Sequence, residues 1–304
     1  MKIFLTGEKN IDKNPVISLT VRLLSENTGD FHSDSCDLII MDDEYFSEKD
    51  SPGFRSRVFG LLETRNNVLG ILPDEIPQLS SGISEMKDVL LIRVTEDNLH
   101  LLPEILAGCI LHQRNLAAII MASGHSKRFG SNKLLTGFRG KPLIENLMEK
   151  IPSALFSEVC VVSIYDEILD LCEKYRIKPV RNTDITDDIS VTIRTGLENI
   201  DRNVKGCMFI VGDQPLLKSE TIMKLASRFY NNPDRICLLN SDGRRGNPVV
   251  FPNSLFHELM SLQNHQSGRS VIANHPDEIT ECSISDSREL LDADFPADLR
   301  KLMC

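Results

Sequence analysis

Short apolar runs of β type alternate with amphipathic stretches of helical period along this chain, and that alternation restricts the fold more than any other feature. The strand-like runs fall at 2–5, 37–41, 67–72, 89–93, 116–122, 157–163, 207–211, 236–239, 247–251 and 279–284. Helical patterns occupy 52–63, 141–151, 166–175, 190–199, 219–229, 253–262 and 267–274. A strand, a helix and a further strand in succession read as a βαβ crossover, so the expected class is α/β with a mostly parallel sheet. The run "EDNLHLLPEILAGCILHQRN" puts Pro103 in the first turn of a helix that leads to the new strand "LAAIIMA". At 304 residues the chain exceeds an ordinary single domain. The expected division is a smaller α/β domain over 1–112 and a larger one over 113–304.

The composition, 41% apolar and 26% charged, is that of a soluble globular protein. No apolar run approaches bilayer length, and Glu8 and Lys9 interrupt the N-terminal apolar stretch too early for a signal peptide, so no membrane and a cytoplasmic location are expected. The eight cysteines form no CxxC pair, which disfavours a zinc site or a disulfide framework and leaves buried thiols as the reading. A net charge of −10 without a Lys/Arg-rich block disfavours non-specific nucleic-acid binding, which needs a basic surface to displace phosphate counterions. An anionic ligand must therefore meet a local cluster of cations.

Two segments have the form of a phosphate loop. The first, Gly7-Glu8-Lys9-Asn10-Ile11-Asp12-Lys13-Asn14, keeps the first glycine and the lysine of G-x-x-x-x-G-K-[ST] and loses the rest. Asp12 sets a carboxylate where phosphate would sit, Asn14 replaces the magnesium-binding hydroxyl, and Pro15 removes a backbone donor at the helix start. The second, "AAIIMASGHSKRFGSNKLLTGFRGKPLIENL", runs from a buried strand into small residues with Lys127, Arg128 and Lys133 among them. Small residues let backbone amides approach an anion, and the cations supply the positive field that the whole chain lacks.

The first segment, with "DLIIMDDEYF", "SPGFR", "VLGIL" and "VLLIRVTEDNLHLLPEIL", resembles the small P-loop nucleoside-triphosphatases of the cancer-related NTPase family over about 1–108. Asp42-Asp43 stands where that family has its Asp-Glu after the Walker B strand, and a solvated acidic strand end explains the same residues. The family's middle section is absent, so the resemblance implies a shortened, degenerate relative kept for packing or partner binding.

The second segment fits the nucleotidyltransferase pattern G-x-S-x-R-x-G-x-x-K-x-L followed by G-x-P-L, in Gly124, Ser126, Arg128, Gly130, Lys133, Leu135, Gly140, Pro142 and Leu143. From 116 to 304 the chain resembles the MobA-like nucleotidyltransferases, and within them the molybdenum cofactor cytidylyltransferases. The resemblance implies a Rossmann-like domain and, in "GDQPLL", Gly212 beside Asp213 as the metal-binding aspartate for Mg2+. It also implies a nucleotide site of Ala122, Ser123, Gly124, Ser126 and Gly130 with Asn182, Ser190 and Thr192. Ser190 reads equally as part of a plain N-capped helix, and Asp188 stands where a glycine is common. "GRRGNPVVFP" matches the substrate-side strand and "LLDADFPADL" a structural terminus with Pro296 in the first turn of a final helix. The late G-D-x-G-x-R segment is replaced by Asn264-His265-Gln266-Ser267-Gly268-Arg269, without its acidic residue.

The implied reaction is attack by a phosphate oxygen of an acceptor on the α-phosphorus of a nucleoside triphosphate, with pyrophosphate leaving. Arg128 and the loop amides would hold the β- and γ-phosphates, Lys133 the α-phosphate and Asp213 the magnesium ion. "MASG" is nearer the Ala-Ala-Gly form of cytidylyltransferases than the Ala-Gly-Gly form of guanylyltransferases, which favours CTP as donor and molybdenum cofactor as acceptor. A guanylyl or sugar-phosphate nucleotidyltransferase is the alternative within the class. A non-catalytic binding or maturation factor for molybdenum hydroxylases is the alternative outside it.

Overall fold

The computed structural model describes residues 2–7, 11–28, 38–41, 45, 53–64, 67–72, 76–86, 89–96, 98–111, 115–125, 129 and 132–293. Asp42-Asp43, Ser126, Lys127, Arg128, Gly130 and Pro296, all singled out above, lie outside these residues. The chain divides into two compact units, Met1–Gln113 and Arg114–Cys304.

The first unit carries β1 (Lys2–Gly7), α1 (Asn14–Thr28), β2 (Leu38–Met41), α2 (Phe54–Glu63), β3 (Asn67–Ile71), α3 (Pro77–Glu85), β4 (Val89–Val94) and α4 (Leu102–Leu111). Its strands form a parallel sheet in the order β2-β3-β1-β4. One apolar cluster joins Phe4 and Met41 of the sheet to Val58 and Leu62 of α2 and Leu79 and Ile83 of α3. At the start of α1 the Asp12 carboxylate accepts the main-chain N–H of Asn14 at 3.0 Å, and Lys13 Nζ donates to the Ile11 carbonyl at 3.3 Å. An acidic side chain therefore already takes up a main-chain N–H at this helix end.

The second unit carries β5 (Leu116–Met121), β6 (Gly137–Phe138), β7 (Lys141–Pro142), α5 (Leu143–Met148), β8 (Val159–Ser163), α6 (Asp166–Lys174), β9 (Lys178–Arg181) and α7 (Ile189–Glu198). There follow β10 (Gly206–Val211), α8 (Ser219–Tyr230), β11 (Ile236–Ser241), β12 (Arg244–Pro252), α9 (Phe256–Met260), α10 (Gly268–Asn274) and β13 (Ile279–Ser283). Its large sheet has the order β13-β11-β12-β10-β5-β8-β9. All pairings are parallel except those of β12, which runs against both β10 and β11. The continuous apolar run of β5 reflects this central position, since a parallel strand covered on both faces needs no polar alternation. Phe209 of β10 meets Phe251 of β12 edge to face at 5.8 Å within the core that also holds Ile119, Cys160 and Val162.

Some boundaries differ from the sequence reading. β9 is absent from it because only Val180 of "KPVR" is buried, so no alternation marks an edge strand that tolerates Pro179. The helix expected from 141 begins at Leu143, after Pro142 has closed the β6–β7 hairpin. The helix expected over 253–262 is a 3-10 turn, Asn253–Leu255, followed by the short α9.

Among the described residues no helix is long and apolar enough to cross a membrane. The described cysteines 160, 172, 207, 237 and 282 are buried and free, and burial lifts the Cys160 and Cys237 thiols to about 12, so they are inert.

Candidate active site

The C-terminal ends of β5 and β10, adjacent in the sheet, open onto a cleft of about 400 Å³. Ligands of open α/β sheets bind at such strand ends. Of the residues expected from the sequence, Ser123, Gly124, Lys133, Asn182, Thr192, Gly212 and Asp213 line the cleft.

The walls are built by hydrogen bonds between neighbouring strand ends. Ala122 is fully buried beneath the loop, its N–H donating to the Val162 carbonyl at 2.9 Å and its carbonyl accepting from Ser163 Oγ at 2.9 Å. Ser123 Oγ donates to the Val162 carbonyl at 3.2 Å and accepts from Asn182 Nδ2 at 3.2 Å. These bonds fix where the loop leaves the sheet. Gly212 is tightly enclosed, since a Cβ there would meet the Met121 carbonyl oxygen at 3.1 Å and Ile144 Cδ1 at 3.0 Å and would push one of them aside.

Lys133 begins a 3-10 turn, Lys133–Leu135, capped by Asn132, whose Oδ1 accepts the N–H of Leu134 at 3.0 Å. That turn aims the ammonium across the cleft to Asp213 Oδ2, at 2.5 Å. Both side chains are largely shielded, 15% and 19% exposed, so the pair is less screened by solvent than a surface ion pair. The turn behind Asp213 is braced twice. Its carbonyl accepts the N–H of Ala293 at 3.0 Å, and Gln214 Nε2 donates to Asp292 Oδ1 at 3.0 Å. Lys150, which the sequence reading did not single out, donates from Nζ to the Pro215 carbonyl at 2.6 Å. Burial pulls its pKa below the ordinary lysine value.

The opposite wall is acidic. Asp184, Asp187 and Asp188 line the cleft with His125. Asp188 caps α7, its Oδ1 accepting the N–H of Ser190 at 2.9 Å, while its Oδ2 accepts the N–H of His265 at 2.9 Å. Burial alone would raise its pKa, yet the hydrogen bonds from Ser190 and His265 outweigh it and hold the carboxyl below its usual value. Ser190 is fully buried at the second position of α7, with its Oγ accepting from Arg194 Nη1 at 3.2 Å, and does not line the cleft. Asp187 Oδ1 accepts the N–H of His125 at 2.9 Å, and the buried ring Nε2 of His125 has no hydrogen-bond partner among the described residues. A buried polar atom left open in a cleft wall suits a polar ligand.

The family that matches this sequence is that of the MobA-like NTP transferase domain, over residues 118–279. That span is more than half of the 304 residues and includes most of β5, all of β10, and Lys133 and Asp213. The chain belongs to this family. Among curated relatives, a Natranaerobius thermophilus protein named "Probable molybdenum cofactor guanylyltransferase" is 32% identical over 114 residues, 37% of this chain and 54% of that protein. The chain spans between 52% and 60% of the length of the curated relatives it matches. Among solved structures, the rv0371c homologue from Mycobacterium sp. strain JC1 superposes with a TM-score of 0.54 at 19% identity, covering 62% of this chain and 96% of that one. A nucleotidyl transferase from Methanothermobacter thermautotroptrophicus superposes with a TM-score of 0.53 at 18% identity, covering 62% and 95%. These likenesses concern the fold of the MobA-like unit.

The family's chemistry raises the matter of a divalent metal, and the donors present fit one. Among the described residues no three His, Cys, Asp or Glu side chains converge on one point. Across from the acidic wall of Asp184, Asp187 and Asp188, the site offers the Asp213 carboxylate at a strand end in the cleft lining. Magnesium binds in that manner, through one or two carboxylates completed by substrate phosphate oxygens and water.

Proposed function

We propose that the MobA-like unit transfers a nucleoside monophosphate from a nucleoside triphosphate to a phosphorylated acceptor. The observation that carries this reading is the Lys133–Asp213 pair at the joined ends of β5 and β10. A phosphate oxygen of the acceptor forms a bond to the α-phosphorus while the bond to the β-phosphate oxygen breaks, and pyrophosphate leaves with the electron pair. Lys133 turns from Asp213 to the α-phosphate as negative charge builds there, and the strand ends hold the two reactants in line. Magnesium bound at Asp213 would add further neutralisation of the phosphate charge. Arg128, from the motif alone, is assigned to the β- and γ-phosphates.

CTP is the donor and molybdenum cofactor the acceptor in this reading. Support for CTP is Ser123, which stands where a second glycine marks guanylyltransferases and which is locked between Val162 and Asn182. GTP is the second reading, favoured by the curated relatives, which carry the name guanylyltransferase. A thermal-shift comparison of CTP, GTP, ATP and UTP with magnesium separates them, because a ligand at about 100 times its Kd adds roughly 2.7 kcal/mol to native stability. CTP is expected to raise Tm most. A larger shift with GTP replaces the donor, and no shift with any of the four replaces catalysis by a binding role toward molybdenum hydroxylases.

The first unit is, in the same reading, a degenerate P-loop-like domain that does not hydrolyse nucleotide. Asp12 takes the amide of Asn14 that a phosphate would need, and Asn14 offers no hydroxyl to a metal. The expected result is no ATP or GTP hydrolysis by the full chain that depends on Lys13. Phosphate release that disappears in Lys13→Ala would restore the site.

A further inference from the structure

Beside the cleft lies a second cavity of about 610 Å³, walled mainly by apolar side chains that include Phe209, Leu238, Val249 and Ile272. Met121, Ile189 and Val211 belong to both walls, so the two spaces adjoin. His265, Ser267 and Gly268 bring a loop into the wall of the second cavity.

The consecutive residues Asp187 and Asp188 grip both sides. Asp187 adopts a left-handed backbone, φ 62°, and holds the phosphate-loop side through the N–H of His125. Asp188 reaches the other way, to the N–H of His265, which is itself left-handed at φ 68°. A left-handed conformation is unfavourable for these residues and persists only where surrounding bonds hold it. Asp188 is 8% exposed, and its carboxylate divides its oxygens between two amides, Ser190 at the start of α7 and His265. Its orientation is therefore common property of the nucleotide cleft and of the loop walling the apolar cavity. The sequence separation of 77 residues between its two ends makes this a tertiary link.

We propose that Asp188 is a positioning residue through which occupation of the cleft sets the 263–268 loop, so that the apolar cavity takes its final shape, and admits the apolar body of the second substrate, once nucleotide is bound. This rests on the reading of the cleft as the nucleotide site. By linkage, whatever fills the apolar cavity strengthens nucleotide binding by the same factor.

The test is hydrogen exchange on the full chain with magnesium and CTP or GTP, whichever raises Tm more. In the wild type, nucleotide is expected to slow exchange at 122–125, and to slow it about tenfold at His265 and its neighbours. Asp188→Asn retains an acceptor oxygen for Ser190, and asparagine is as good an N-cap as aspartate. Its single oxygen does not serve both amides. Protection at 122–125 is expected to survive in the variant, while nucleotide-induced protection at 263–268 falls below twofold. The nucleotide-induced difference is decisive, because a merely loosened loop exchanges faster with and without ligand alike. Wild-type protection at 122–125 without any at 263–268 overturns the coupling, as does an Asp188→Asn response equal to wild type. Absence of protection at 122–125 with either nucleotide overturns the nucleotide reading and the coupling together.

Discussion

Replacing Lys133 by methionine is expected to lower turnover about a hundredfold, equivalent to roughly 2.7 kcal/mol of transition-state stabilisation. Methionine keeps much of the apolar stem that packs in the cleft wall and removes the ammonium. In the structure that ammonium pairs with Asp213 at 2.5 Å. It becomes most valuable when charge accumulates on the α-phosphate, so its loss falls on kcat more than on nucleotide affinity, for which about a fivefold change is expected. Pyrophosphate release measures the first and a binding titration the second. Retention of more than half of wild-type turnover would remove Lys133 from the catalytic machinery.

The second large effect concerns Asp213. Asp213→Asn is expected to cancel the magnesium-dependent part of nucleotide binding, about tenfold or more in affinity, and to leave binding in EDTA nearly unchanged. Asparagine fills the same volume, and the braces from Ala293 and Lys150 act on backbone carbonyls, so the turn itself persists. Because Lys133 pairs with Oδ2, a metal that binds there must displace an ion pair. Manganese, followed by electron paramagnetic resonance, should therefore bind the wild type weakly without nucleotide and tightly with it. Tight nucleotide-free binding that survives Asp213→Asn would locate the metal elsewhere.

Much of the sheet was legible because its strands are buried on both faces and write themselves as apolar runs, as "LAAIIM" and "GCMFIV" do. β9 escaped because an edge strand with one buried residue carries no such record. In the site, residue types and local spacing pointed to Lys133 and Asp213 separately, but no pattern along the chain says that side chains 80 residues apart meet. Asp188 illustrates the same limit from another side. An acidic residue before a helix announces a cap, and its second bond, to His265, has no local signature.

The last described residues return to the turn that carries Asp213, through Ala293 N–H and the Asp292 carboxylate. In the cell this places an order on assembly. The ribosome releases β5, the lysine turn and β10 well before residue 293, so the phosphate-facing half of the cleft can form on the nascent chain while the aspartate turn still lacks its brace. A chain ended upstream of 292 would keep the Lys150 contact but lack the two bonds that residues 292 and 293 make to the Asp213 turn.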